Sequence, residues 1–331
     1  MKFKKKYLYL IIIVIVIIAA LHYLYKASKS IQTPAKDLKK DLNVEWQIDG
    51  NGYLHYPLER GEVKFSRETM NQTDNLLISK IVYESRNGNI YGLLVLPTSA
   101  AKLLPGVVLL PGAGVSKESE IKLAMKIAEL DAAVLVIDQR GVGETGGKFP
   151  ALDEDYASYL AGKEPYQHLM VYDALRGYDL LKSAPFSDPS RIIMAGESLG
   201  GRIAVIAAAI DRNIEGVMVI SSSGFGFQGG NDTSKDLFLK SIDSDHYIGS
   251  ITPRRIVMMH NVNDRNILVS SAVNSYSIAQ QPKQFVLVND TRCNHGYCDS
   301  MREGLVDGLN YLIGVNPEDA SVREVNLNVS A

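Results

Sequence analysis

Ser198 stands at the centre of Gly196-Glu197-Ser198-Leu199-Gly200, a spacing that can hold a serine hydroxyl at the apex of a sharp turn. A serine hydroxyl alone is a poor nucleophile at neutral pH and needs a base within hydrogen-bond reach. Histidine suits, because its pKa lies close to the working pH. An acid must then fix the imidazole tautomer and stabilise its charged form. Of the six histidines, His295, after the last apolar run and beside Gly296, is the candidate base. His22 falls in an N-terminal apolar run, His55 in an irregular segment, His168 at a helix start and His246 in an insertion. His260 ends a strand and reads as buried and structural. Asp264 is the candidate acid. Asp290 is the alternative, or else a loop residue that positions the histidine turn.

These groups need a scaffold, and the chain supplies the pattern of one. The apolar run Arg191–Ala195 leads directly into the serine turn, and Arg202–Ile210 is a strong helix former: strand, glycine turn, helix. Before it, Ile78–Ser85 and Ile90–Leu96 flank Arg86-Asn87-Gly88-Asn89, a hairpin with Asn-Gly turn chemistry. Gly106–Leu110 and Ala132–Ile137 read as buried strands around a helix over Glu118–Leu130, with Ile121, Ala124, Met125 and Ala128 on one face. Tyr166–Ser183 is a helix. Later strands at Gly216–Ile220, Arg255–His260 and Gln284–Val288 alternate with helices at Ser234–Ile242, Ile267–Ala279 and Asp299–Ile313. Such alternation predicts a mostly parallel sheet covered by helices on both faces. Reactive groups in these sheets gather at the carboxyl ends of the strands. Ser198, Asp264 and His295 each follow such an end.

At this point the chain resembles the α/β-hydrolase superfamily over about Ile78 to Gly314, and within it the dienelactone-hydrolase-like and prolyl-oligopeptidase-type serine hydrolase domains. The residues carrying the resemblance are Leu110-Pro111-Gly112-Ala113-Gly114, Asp138-x-Arg140-Gly141-x-Gly143, Gly196-Glu197-Ser198-Leu199-Gly200-Gly201, His260-x-x-x-Asp264 and Asn294-His295-Gly296. The resemblance implies acyl transfer, with Ser198 attacking a carbonyl, His295 shuttling the proton and Asp264 orienting His295. It also implies an oxyanion site between the backbone N–H groups of Leu199 and Ala113. Where many relatives have His-Gly, this chain has Pro111-Gly112. In the family the Asp138–Gly143 segment is a structural turn. Fewer than eighty residues precede Ile78. That leaves no room for the β-propeller of the prolyl oligopeptidases and points to an ester over a peptide. Insertions at 148–165 (Phe149, Tyr156, Tyr159, Leu160) and 221–253 (Phe225, Phe227, Phe238, Leu239, Tyr247) either form a mainly apolar acyl site or glue a lid to the body.

The N-terminus has a different texture. Lys2, Lys4, Lys5 and Lys6 precede an apolar run over 7–25, with tyrosines at both ends, about the length that spans a bilayer. The reading is a single transmembrane anchor over 1–27, a tether and irregular segment over 28–77, a hydrolase domain over 78–315 and a tail over 316–331. The lysines favour a cytoplasmic N-terminus and an extracytoplasmic body; a cleaved signal peptide, releasing a secreted enzyme, is the alternative. Cys293 and Cys298 are the two cysteines, five apart. An oxidising compartment would bridge them; otherwise they are reduced thiols. Two cysteines are too few for a zinc site, and no cofactor or metal is expected. A net charge of −2 argues against a nucleic-acid partner. The expected partners are a small-molecule ester or other acyl substrate and, through residues 7–25, the lipid bilayer. The pattern leaves open a peptidase or acyltransferase on the same residues, and a non-catalytic hydrolase fold used for binding.

Overall fold

The computed structural model describes residues 45–98, 102–227, 229–230 and 232–315. The anchor expected at 1–27, the tether as far as residue 44 and the tail from 316 lie outside the described residues. Among the described residues no helix is long and apolar enough to cross a membrane. The chain divides into two units, Met1–Glu45 and Trp46–Ala331, and every element named here belongs to the second.

A small ribbon, β1 (Gln47–Ile48) and β2 (Leu54–His55), precedes a run of four strands, β3 (Phe65–Gln72), β4 (Leu76–Ser85), β5 (Gly88–Pro97) and β6 (Leu104–Leu110). Next come α1 (Ile121–Ala128), β7 (Ala133–Ile137), α2 (Leu152–Leu160), α3 (Tyr166–Ser183), β8 (Ser187–Glu197), α4 (Leu199–Ile210) and β9 (Gly216–Ile220). The last part holds α5 (Thr233–Ser241), α6 (Ser244–Tyr247), β10 (Arg255–Asn261), α7 (Val269–Ile278), β11 (Lys283–Val288) and α8 (Arg302–Ile313). Nine strands form one sheet in the order β11-β10-β9-β8-β6-β7-β5-β4-β3. The six from β11 to β7 are parallel, and β5, β4 and β3 close the far edge antiparallel.

Strand alternation divides the core between the two faces of this sheet. Val108, Leu110, Ile192, Met194, Val217 and Val219 point to one side and pack on α3 and α4 through Leu175, Tyr178, Ile203 and Ala207. Val107, Leu109, Ile193, Ala195, Met218 and Ile220 point to the other and meet Leu123 and Ile127 of α1 and Leu305, Leu309 and Leu312 of α8. With both faces covered, the central strands are apolar throughout, which is why they read as uninterrupted hydrophobic runs. The buried face of α1 is Leu123, Ala124, Ile127 and Ala128, rotated from the one expected on Ile121 and Met125.

Two expectations are corrected. The irregular segment placed over 28–77 contains a full strand, β3, and the compact unit begins at Trp46 rather than at 78. All eight residues of β3 are exposed. As an edge strand covered on neither face it carries no apolar alternation, so its sequence gives no strand signal. The stretch before it is also bound to the body. Tyr53 stacks on His246 with ring centres 4.0 Å apart, and Tyr56 Oη donates to Glu164 Oε1 at 2.6 Å. Arg60 makes two bonds to Asp179, at 2.9 and 2.7 Å, and one to Asp211 at 2.6 Å. Arg176 returns the grip by donating to the carbonyls of Arg60, Gly61 and Glu62.

The second correction concerns the insertions. The first holds a helix absent from the expected elements, since α2 occupies Leu152–Leu160. Its Tyr156 and Tyr159 lie 5.4 and 5.8 Å from the fully buried ring of Phe238 in α5. These aromatics hold one insertion to the other. Phe149 and Phe225 are the exposed ones, at 42% and 50%.

Candidate active site

The sheet register aligns the strand ends. Leu110 pairs with Gly196, Glu197 with Ile220, and Asn261 with Val288. The loops carrying Gly112, Ser198, Ser222, Asp264 and His295 therefore leave one edge of the sheet.

Ser198 follows β8 directly and caps α4 at φ 51°, ψ −117°. A β-carbon in that region is crowded, and the conformation costs about 1–3 kcal/mol. Its surroundings hold it there. Ser198 N donates to Ile220 O at 3.0 Å, and Ser222 Oγ donates to Ser198 O at 2.6 Å. The flanking glycines are required by space. A β-carbon on Gly200 would sit 1.9 Å from Leu110 O, and one on Gly196 would sit 2.4 Å from the Gly200 carbonyl. Leu199, the first residue of α4, has an N–H with no partner inside the helix, aimed out of the helix's positive end. Gly112, next to Ala113, is so close that a β-carbon there would meet Ser198 Cβ at 3.4 Å. Gln139 Nε2 braces this loop by donating to Pro111 O.

His295 and Asp264 are brought together. His295 Nδ1 lies 2.8 Å from Asp264 Oδ2 and 3.0 Å from Oδ1. The Asp264 side chain is wholly buried, and its Oδ1 also accepts the N–H groups of Asn266 and Ile267, both at 2.9 Å. Asp290 takes another role. It binds the Arg292 guanidinium at 3.0 and 2.9 Å, and that cation with the Arg292 N–H pulls its carboxyl down to about 2.

The remaining histidines are occupied elsewhere. His260 is buried, and its Nε2 donates to Ile267 O at 2.9 Å; Asp264 Oδ2 is 3.7 Å away, and burial lowers the imidazole's pKa. His168, fully buried with Nε2 on Ser241 Oγ at 2.7 Å, is pushed down to about 3. Asp138 receives Lys117 N and Nζ, both at 2.8 Å, and Arg140 binds Asp173 at 2.6 and 2.8 Å, so both brace turns.

The His295 loop is tied down at several points. A disulfide joins Cys293 to Cys298 across it. Asn261 donates to the Asp290 and Cys293 carbonyls, and Ser221 Oγ donates to Gly296 O at 3.3 Å. Tyr297 N donates to Glu197 Oε1 at 2.8 Å, which links this loop to the residue before Ser198. Sequence reasoning passed over Asn261 and Glu197. Glu197 had a signal, its place inside the serine motif, but nothing in the sequence pointed to its partner. Two cavities, of about 300 and 210 Å³, open around Asp245 and Asn274 and include neither Ser198 nor His295 in their walls.

The sheet order, the strained serine turn and the shared loop edge define an α/β-hydrolase of the serine hydrolase superfamily. The family model of acetyl xylan esterase (AXE1) matches residues 58–228, about half of the chain, and the chain belongs to that family. The fold is similar to the acetyl xylan esterase from Paenibacillus sp. R4, with TM-score 0.64, 20% identity, and coverage of 77% of this chain and 90% of that one. It is also similar to acetyl xylan esterase 1 from Thermoanaerobacterium sp. JW/SL YS485, at TM-score 0.61 and 14% identity over 76% and 89% of the two chains. The protein YfhR of Escherichia coli O157:H7 is 23% identical over 202 residues, 58% of this chain. The match spans 65% of that curated relative's length.

Proposed function

We propose that this protein is a carboxylic ester hydrolase in which Ser198, His295 and Asp264 act in sequence on a small-molecule ester. Ser198 Oγ attacks the ester carbonyl while His295 Nε2 takes its proton. The carbonyl oxygen gains negative charge facing the N–H groups of Leu199 and Ala113. The C–O bond to the alcohol then breaks, and His295 returns the proton to the leaving oxygen. Water repeats the cycle on the acyl-enzyme and frees the acid. Fixed donors at such an oxyanion are worth roughly 3–4 kcal/mol each in the transition state.

The observation that carries this reading is the Asp264–His295 pair on a loop fastened through Glu197 to the Ser198 turn. The names of the solved neighbours, acetyl xylan esterases, favour a short acyl group such as acetyl. Incubation with a fluorophosphonate probe should label Ser198 in the folded protein. Chromogenic esters of increasing acyl length, run beside short peptide amides, should show turnover on the short esters. Amide turnover alone would make it a peptidase, and no labelling would make it a binding protein.

We also propose that residues 7–25 anchor the body on the extracytoplasmic side of a membrane. The apolar run and the Cys293–Cys298 bridge support it, since a bridge persists in an oxidising compartment. Protease added to intact cells should degrade the catalytic unit while the protein stays in the membrane fraction.

A further inference from the structure

Glu197 does more than fill the second place of the serine motif. Its Oε1 accepts the Tyr297 N–H at 2.8 Å, and its Oε2 lies so close to Gly296 that a β-carbon there would be 2.7 Å away. The carboxylate therefore rests against the backbone immediately after His295. Gly296 has φ +79°, a backbone conformation that is strained for a residue with a side chain. Behind Glu197 stands Glu120, only 6% exposed, just ahead of α1, with its carboxyl hydrogen-bonded to that of Glu197. Among the described residues no lysine or arginine pairs with either carboxyl.

Two carboxyl groups in contact cannot both ionise at modest cost. Burial, and then the neighbouring Glu197, push Glu120 up to about 9. Burial also raises Glu197, against the opposing pulls of the Tyr297 N–H, the Glu120 hydrogen bond and the charge of His295. Among the described residues the charged group acting on the pair is His295; the nearby Tyr297 meets Glu197 through its backbone, and its phenol hydroxyl is buried without a partner, with burial raising its pKa. Asp299 and Arg302 act on that phenol with opposite signs. One proton shared between the two carboxyls removes that conflict.

We propose that Glu120 and Glu197 are positioning residues, a proton-sharing carboxyl pair that fixes the loop presenting His295 and keeps a single negative charge beside its imidazole. This rests on the esterase reading above. When His295 takes the serine proton, Glu197 offers its new positive charge a second carboxylate besides Asp264. When the shared proton is lost in alkali, the two carboxylates repel, the hydrogen bond between them vanishes, and the support under Tyr297 is released. Neither residue touches substrate. The effect should therefore fall on kcat and spare KM.

The test is kcat and KM on the best chromogenic ester between about pH 6 and 11 for the wild type, Glu120→Gln and Glu197→Gln. The wild type should lose kcat through an alkaline limb near 9, where the pair gives up its proton. Glu120→Gln, whose amide still donates to Glu197, should lose about threefold in kcat at neutral pH and should lack the limb. Glu197→Gln should lose about tenfold in kcat at pH 7 with KM within about twofold. An alkaline limb unchanged in Glu120→Gln, or a Glu197→Gln enzyme as fast as the wild type, overturns the proposal.

Thermal unfolding gives a readout independent of catalysis. A carboxyl raised on folding contributes its full stability below its unfolded pKa of 4.5 and loses it as pH rises toward 9. The wild type should therefore lose stability across that window relative to Glu120→Gln, and parallel curves overturn the pair. If Ser198 takes no fluorophosphonate at any pH, the esterase reading fails, while the unfolding curves still decide whether the carboxyls share a proton. If Glu120→Gln does not fold, the wild-type labelling rate decides: it should fall through the same limb, and a rate flat to about pH 10 overturns the proposal.

Discussion

The Ser198 turn and the His295 loop hold their residues in place by opposite means. The turn works chiefly by exclusion: Gly196 and Gly200 leave no room for a side chain, and Ser198 is held at positive φ by that close packing with two bonds, to Ile220 and from Ser222. The loop works by attachment. Its hold comes from Asp264, Asn261, Ser221, Glu197 and a disulfide, most of them distant in sequence. On the proposed reading, close packing suffices to fix the nucleophile's elbow, whereas its base must be set by bonds to groups from several strands. Damage to the turn should therefore act through space, and damage to the loop through lost bonds.

The largest expected effect separates chemistry from scaffold at the turn. Ser198→Ala should reduce kcat by about 10⁵-fold while leaving the protein folded, as read by steady-state turnover and circular dichroism. A residual activity near wild type would place the nucleophile elsewhere. Next, on the loop side, Asp264→Asn should cost about 10⁴-fold in kcat, because His295 loses the acceptor that fixes its tautomer. Asp290→Asn should cost under about threefold, since its carboxylate serves Arg292. Equal losses would erase the distinction between the two acids.

Smaller effects probe the two styles of support. Gly200→Ala forces a β-carbon to 1.9 Å from Leu110 O and should destabilise the fold by more than about 3 kcal/mol in urea titration. Gly50→Ala, with open space around it, should change stability by under about 0.5 kcal/mol. A loss between those two should follow replacement of Cys293 and Cys298 together by serine. A loop this short gives about 2 kcal/mol of stabilisation from chain entropy, and the remaining bonds should keep His295 in place. If activity vanishes with the bridge, attachment at a single point matters more than the set.

That contrast also explains what could be read from the chain. The turn is encoded within a few consecutive residues, so Gly196–Gly201 and its flanking strand and helix were legible. So were the buried parallel strands, because burial on both faces leaves uninterrupted apolar runs. His295 and Asp264 were legible as residues at strand ends, and the Asn87-Gly88 turn as a positive-φ pair between β4 and β5. Strand β3 was not, because exposure removes the alternation by which strands are recognised. Helix α2 was hidden within an insertion and buries only Asp155. Glu120 was invisible for another reason: its meaning lies in Glu197, far along the chain, and only the packing of the first helix beside the serine turn brings the two together.

The Arg60 clasp has a mechanical consequence. Asp211 caps the carboxyl end of α4, and Asp179 lies near the end of α3, so Arg60 grips two core helices at once. A pull on the chain from its N-terminal side would be taken up there and at the Tyr53 and Tyr56 contacts just before it. The far end of α4, where Ser198 sits, is about 18 Å along the helix axis from that grip. Tension entering the molecule would reach ion pairs and carbonyl bonds before it reached the serine turn, leaving the reactive edge slack while the other end bears the strain.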